Sequence, residues 1–349
     1  MMNTVLRLLG GFCAFLILCE AGLQCLPVSA STAVDYYLDP LILSYPAHRE
    51  LTVSTGWDLR NAQRLHANNA GFLADHDFVR DPNAVALIGD SLVEASMLPA
   101  IDRPGAQLER ALGNRPVYAL GAPGSALLDH AERIRFVAER YSIRDAVVLV
   151  EYGDLRQSLC GSGSTHGPCL DSQTRTVRTE HRAPAGLAKR ILRHSALLQY
   201  LLGQLKIQPE RLWRQALAQS RPATPLASPK SARSGAGSAA DAMPERDVDA
   251  VTAAFFARIK GRLPGRLILV VDCDRPALYR DGALVSPTRS RFIRLARAQG
   301  AEVIDAETLF RAHLARSPLK FEVGPYDGHL NRLGVAIVAA AVAERLHAR

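Results

Sequence analysis

Two short stretches carry the residue types needed for nucleophilic chemistry. Ser91 stands in Gly89-Asp90-Ser91-Leu92, directly after an apolar run over residues 84–88. A serine hydroxyl is a weak nucleophile at neutral pH until a neighbouring base takes its proton. Near the far end of the chain, Tyr326-Asp327-Gly328-His329-Leu330-Asn331 offers that base. An imidazole titrates near neutrality, with an ordinary pKa of about 6.5, and Asp327 is placed to hold one of its tautomers. The chemistry these three types could do is acyl transfer through a serine ester. Taken singly, Gly-Asp-Ser-Leu also fits a strand-to-helix turn capped by Ser, and a loop histidine before a helix also fits plain surface. Their pairing at the two ends of one repeating pattern is what points to a site.

That pattern is a parallel α/β fold. Residues 84–88 are uniformly apolar, as befits a strand buried on both faces. Further strands are expected over 116–120, 146–150, 266–272 and 302–305, with helices over 104–112, 125–141, 287–299 and 331–347. Strands alternating with helices at this spacing predict a doubly wound parallel sheet. The carboxyl ends of such strands face the crevice where ligands bind, and Ser91 lies at one of them. Asp90 is expected to hydrogen-bond backbone around its loop. Asp272 and Asp274, at another strand end, are expected to cap loops or face substrate rather than bind a metal. His66, His76, His130, His181, His194 and His313 have no partners at ligand spacing and are expected on the surface or on helices.

The α/β pattern is interrupted. Residues 160–217 hold a cysteine loop and a helical insertion. Leu187, Ile191, Leu197, Leu198, Leu201, Leu202 and Leu205 form its apolar side, expected to be core. Residues 218–246, rich in Pro, Ala, Ser and Gly, are expected to be a disordered linker. The sequence therefore divides into a signal anchor or signal peptide (1–29), an irregular lead-in (30–80) and a catalytic domain (81–349) split by the insertion.

The chain has six cysteines. Cys13, Cys19, Cys25 and Cys273 lie in apolar surroundings and are expected to act as small hydrophobes. Cys160 and Cys169 close a short Gly-rich loop and are expected to form a disulfide, which requires an oxidising compartment. Export agrees with the N-terminus, where Arg7 precedes an apolar stretch crossed by Glu20. The stretch is long enough to span a bilayer, and the small residues Val28-Ser29-Ala30 leave peptidase cleavage as the alternative. With Arg7 inside, the rest of the chain faces outward. The formal charge of +8 is concentrated between Arg175 and Arg246. No recognition motif accompanies that excess, which excludes nucleic acid as the expected partner. A solvated face or contact with anionic headgroups or acidic glycan remains.

On these residues the chain resembles the SGNH/GDSL hydrolase family. Ala86 to Leu92 looks like its first block, Tyr118-Ala-Leu-Gly121-Ala-Pro-Gly124 like its second, and Asp327, His329, Asn331 and Gly334 like its last. Asn69-Ala-Gly71-Phe72 resembles a lead-in of membrane-anchored members. The resemblance implies a flavodoxin-like three-layer α/β/α sandwich with a parallel sheet. It implies Ser91 as nucleophile, His329 as base and Asp327 as its partner, with Ser91 and Gly124 supplying backbone donors to the oxyanion. The family's third block carries an asparagine donor, but this chain reads Glu151-Tyr152-Gly153-Asp154, so that either activity is reduced or Gln157 or Arg156 substitutes, with Gln157 the expected donor. Asp-x-His also stands where Asp-x-x-His is commoner.

The expected function is a serine esterase removing acetyl or another acyl group from an extracytoplasmic substrate such as a polysaccharide, without metal or cofactor. The alternatives are an O-acyltransferase for an envelope glycan, which uses the same acyl-enzyme and could work beside a membrane-bound acyltransferase, and a non-catalytic glycan-binding scaffold on the same fold. The expected location is an anchored protein facing the periplasm or cell exterior, or a secreted one after cleavage.

Overall fold

The computed structural model describes residues 2–30, 34–151, 153–162, 167–180, 193–205, 207, 243–279, 286–324 and 327–348. It divides into two compact units.

The larger unit comprises residues 33–49, 66–182 and 235–349. Its centre is a five-stranded parallel sheet: β1 (Val85–Gly89), β2 (Val117–Gly121), β3 (Asp145–Val150), β4 (Leu267–Val271) and β5 (Glu302–Asp305). The strands lie in the order β5-β4-β3-β1-β2. That is the flavodoxin-like order of a doubly wound sheet, with its switch point where β1 meets β3. Registers are unbroken; Ile88 sits opposite Leu120 on one side and Val148 on the other.

Because both faces are covered, the inner strands are almost wholly apolar, whereas the edge strand β5 begins and ends on a carboxylate, and alternate residues feed two cores. Ala86, Ile88, Val148, Val150, Leu269 and Val271 pack one face. The helices on that face are Leu127–Tyr141, Glu245–Ile259 and Pro287–Ala298. Leu87, Val147, Leu149, Ile268 and Val270 pack the other face. There the covering helices are Pro104–Ala111, Ala306–Leu314 and Arg332–His347. The result is the expected three-layer sandwich.

Several features differ from the sequence expectations. The lead-in is partly regular, with the two-stranded pair Asp35–Asp39 and Ile42–Ser44 at its start. The cysteine loop at the start of the insertion leads into a hairpin that was not expected, Gly167–Leu170 against Val177–Glu180. Cys169 of this hairpin is bonded to Cys160. The linker expected over 218–246 lies outside the described residues up to 242, and its last residues already belong to helix Glu245–Ile259, which was not anticipated.

The smaller unit comprises residues 1–32, 50–65 and 183–234. It holds the N-terminal helix Met2–Gln24, a two-stranded sheet of Glu50–Thr55 and Arg60–His66, and a short helix Ala196–Leu198 continuing as a π-helical turn Gln199–Gln204. Among the described residues, the N-terminal helix is the one long and apolar enough to cross a membrane, and none of that stretch is buried. Leu187 and Ile191 of the expected apolar side lie outside the described residues. The rest of that side is not core: Leu197, Leu198, Leu201 and Leu205 are half-buried and Leu202 is exposed.

Candidate active site

Ser91 opens a single helical turn, Ser91–Glu94, at the carboxyl end of β1. The Asp90 carboxylate caps that turn, its Oδ1 accepting from the Leu92 N–H at 2.8 Å. This is the backbone role expected of Asp90; its Oδ2 also lies 3.5 Å from Ser91 Oγ. The turn packs hard against the end of β2. A Cβ on Gly121 would come within 2.2 Å of the Glu94 nitrogen, so only glycine lets the turn and the end of β2 approach this closely. Leu92 and Val93 fill the core beneath, leaving the Ser91 hydroxyl at the crevice.

His329 comes from a short strand, Asp327–Leu330, paired antiparallel with Glu322–Gly324. Its Nε2 lies 2.9 Å from Ser91 Oγ, and its Nδ1 lies 2.6 Å from Asp327 Oδ1. The same Asp327 oxygen accepts from the His329 backbone N–H at 3.0 Å. Asp-x-His therefore closes a tight local ring, and the shortened spacing still places a carboxylate on the imidazole. Burial alone would lower the pKa of His329; the hydrogen bond and charge of Asp327, with Asp90 and Glu151 nearby, outweigh it and hold the pKa above its ordinary value.

Two buried arginines hold this constellation, and neither was singled out from sequence. Arg133, on helix Leu127–Tyr141, has no exposed surface. Its Nη1 donates to the Gly89 carbonyl at 2.6 Å, to the Leu120 carbonyl at 3.3 Å and to Ser125 Oγ at 3.0 Å. It thereby ties together the ends of β1 and β2. Arg275 pairs with Asp272 at 2.5 Å and donates to the Gly328 carbonyl between Asp327 and His329. Asp274 caps the turn that carries Arg275, accepting from the Ala277 N–H at 3.1 Å. The two aspartates thus serve the loop, as expected. His130 is indeed a helix residue, but a fully buried one with a partner: its Nε2 lies 3.3 Å from Asp154 Oδ2.

At the end of β3 stands the segment that departs from the family pattern. Asp154 is fully buried and accepts from the Glu151 N–H at 2.8 Å. Gly153, where the donor asparagine would stand, has an ordinary φ of −87°. The space of its missing side chain is filled by Gln157, whose Nε2 would lie only 2.7 Å from a Cβ built at Gly153. Arg156, the other candidate, is exposed. Gly124 takes a φ of +77° in the loop after β2, a conformation that favours glycine.

Carboxyls crowd this floor. Oxygens of Asp90, Glu151 and Asp154 lie within 4.8 Å of one another, a set that could in principle hold a cation. Protonation relieves the same repulsion. Burial, then the charges of Asp90, Asp154 and Asp272, push Glu151 up to about 8. Burial and Asp90 likewise raise Asp154 well above the carboxylate range. Glu94, buried beneath the nucleophile turn and accepting from the Tyr45 hydroxyl at 3.1 Å, is pushed by burial up to about 7. In the other such set among the described residues, Cys160, Cys169 and Glu180, both sulfurs are engaged in the disulfide.

No family model and no curated protein matches the chain. Solved structures do resemble it. One is a member of the lipolytic G-D-S-L family from Veillonella parvula, 12% identical, covering 76% of this chain and 98% of its own, with a TM-score of 0.39. A carbohydrate acetylesterase from Sinorhizobium meliloti is 11% identical over 76% of this chain and 99% of its own, with a TM-score of 0.37. A mutant of an acetyl-xylooligosaccharide esterase from Geobacillus is 10% identical over 78% of this chain and 97% of its own, with a TM-score of 0.38.

Proposed function

We propose that this chain is a serine esterase of the SGNH/GDSL type, acting on a small acyl group, foremost acetyl, of an extracytoplasmic carbohydrate. The observation that carries the reading is the continuous hydrogen-bonded chain Ser91 Oγ to His329 Nε2, His329 Nδ1 to Asp327, at the carboxyl end of a parallel sheet. Each member has a chemical task there. His329 accepts the Ser91 proton as Oγ attacks the ester carbonyl, and Asp327 fixes the tautomer and stabilises the imidazolium. Backbone N–H groups of Ser91 and Gly124 receive the oxyanion, and the Gln157 amide supplies the third donor. His329 then protonates the leaving alcohol, and water, activated by the same imidazole, releases the acid and regenerates Ser91.

The N-terminal helix, retained as an anchor, would hold the enzyme on the outer side of a membrane; the Cys160–Cys169 bond is compatible with an oxidising compartment. The test is hydrolysis of a panel of nitrophenyl esters of increasing chain length and of acetylated oligosaccharides. Turnover should be fastest with acetyl and should be lost in Ser91→Ala. Inertness of the folded protein toward every ester in the panel would sink it. Acyl transfer to an added glycan at a rate exceeding hydrolysis would instead assign the acyl-enzyme to a transferase.

A further inference from the structure

The smaller unit carries a feature that the catalytic reading does not use. Glu20 sits in the apolar N-terminal helix, yet its carboxylate is fully engaged. It accepts from Ser195 Oγ at 2.7 Å, from the Ala196 N–H at 2.8 Å and from the Leu197 N–H at 2.9 Å. Gln24, one turn on, donates to Glu20 and to the His194 carbonyl. The helix is thus clasped to a segment of the insertion far along the chain.

Depth follows from helix geometry. The apolar stretch Thr4–Gln24 has 21 residues. At about 1.5 Å per residue it matches a hydrocarbon core of about 30 Å, and Glu20 then lies about 6 Å inside the edge where the helix leaves it. A carboxylate at that depth needs partners. Those partners are held within hydrogen-bond distance, so residues 195–197 must sit at the same boundary. The chain continues from them to Gln204, with Leu202 pointing outward at 41% exposure. Tyr200 donates to the Trp57 carbonyl at 2.6 Å, and Gln204 donates to the Gly56 carbonyl at 2.6 Å. These bonds bring the turn of the Glu50–Thr55 and Arg60–His66 pair to the same level, where the Trp57 side chain is 76% exposed. Leu26, just beyond the helix, is 50% exposed. A tryptophan and leucines presented together at the exit of an apolar helix have the composition of a membrane–water interface.

Resting on the reading of the N-terminal helix as a retained anchor, we infer that the segment Ser195–Gln204 and the turn bearing Trp57 form a second, in-plane contact with the phospholipid surface, positioned by the Glu20 clasp. Cleavage after Ala30 would remove Glu20 and dismantle it.

The chain has two tryptophans, Trp57 and Trp213. Full-length Trp213→Phe protein, reconstituted in phosphatidylcholine/phosphatidylglycerol vesicles, leaves Trp57 as the reporter. Lipids brominated near the headgroup should reduce its emission to roughly half or less, and lipids brominated near the chain terminus should do so less. Adding Glu20→Ala should abolish the quenching while the protein still resists carbonate extraction. Adding Leu202→Asp, which leaves the clasp intact, should weaken it. Anchored protein whose Trp57 is unquenched by either lipid overturns the inference, as does unchanged quenching in the Glu20→Ala protein. Loss of residues 1–30 by intact mass, or release by carbonate, overturns the anchor reading itself.

Discussion

Gln157 is the residue on which the departure from the family pattern can be put to the sharpest test. Its amide occupies the volume that a side chain at Gly153 would take. If that amide is the third donor, as proposed, Gln157→Ala removes it and leaves the backbone donors in place. Loss of one such donor costs roughly 10²–10³ in kcat, about 2.7–4 kcal/mol. The structure also dictates what a rescue requires. Gly153→Asn alone should push the Gln157 amide aside, since its Cβ meets only the flexible end of that side chain at 2.7 Å, and so exchange one donor for another at little cost. The φ of −87° at Gly153 accepts any residue, so in the double variant Gly153→Asn/Gln157→Ala the asparagine has both the space and the backbone. That variant should recover a large part of kcat on nitrophenyl acetate, with KM little changed. Full activity in Gln157→Ala would refute the reasoning, and so would a double variant no faster than Gln157→Ala.

Two further predictions concern titration. His329 must be neutral to act as a base, and its pKa is held above the ordinary value chiefly by Asp327 against burial. The acid limb of kcat/KM should therefore have its midpoint above about 6.5. Asp327→Ala should move that midpoint down and slow turnover by roughly 10⁴-fold, judged by serine-protease behaviour. An unmoved midpoint would separate Asp327 from the imidazole. Glu94 is raised by burial to about 7 from an ordinary 4.5. The fold thus favours its protonated form, so this contribution to stability is complete below about pH 4.5 and is lost as pH rises through about 7. Glu94→Gln should abolish that part of the decline, about 3 kcal/mol, when thermal unfolding is compared at about pH 5 and about pH 9. A variant as pH-sensitive as the parent would show that Glu94 ionises freely in the fold.

The sheet was legible because a doubly covered strand is apolar over most of its length, as in Val85–Gly89 and Leu267–Val271, with the half-acidic edge strand Glu302–Asp305 following in the same alternation with helices. All five runs fall within a residue or two of the observed strands. Ser91 was legible because it follows the end of a buried strand, and His329 because Asp327-Gly328-His329 stands just before the last helix. Helix Glu245–Ile259 was overlooked although Val248, Val251, Phe255 and Ile259 recur at helical spacing, because a polar, Pro-rich stretch runs up to its first turn. Arg133 left a faint signal, a charge on the buried face of an amphipathic helix beside Ile134 and Val137. Arg275 left only its i,i+3 spacing from Asp272, while its other partner, the carbonyl of Gly328, is marked by no side-chain pattern. The missing asparagine points to Gln157 as a substitute donor; that Gln157 fills the space beside Gly153 is a matter of packing that spacing cannot express.

The central claim is that Ser91 is the nucleophile of a working acyl-enzyme. A fluorophosphonate probe reacts with a serine only when a base and an oxyanion hole activate it. Peptide mass spectrometry of the labelled, membrane-reconstituted protein should find the adduct on Ser91, with labelling lost in Ser91→Ala and strongly slowed in His329→Ala. Folded wild-type protein that carries no adduct, or carries it on another residue, would contradict the account.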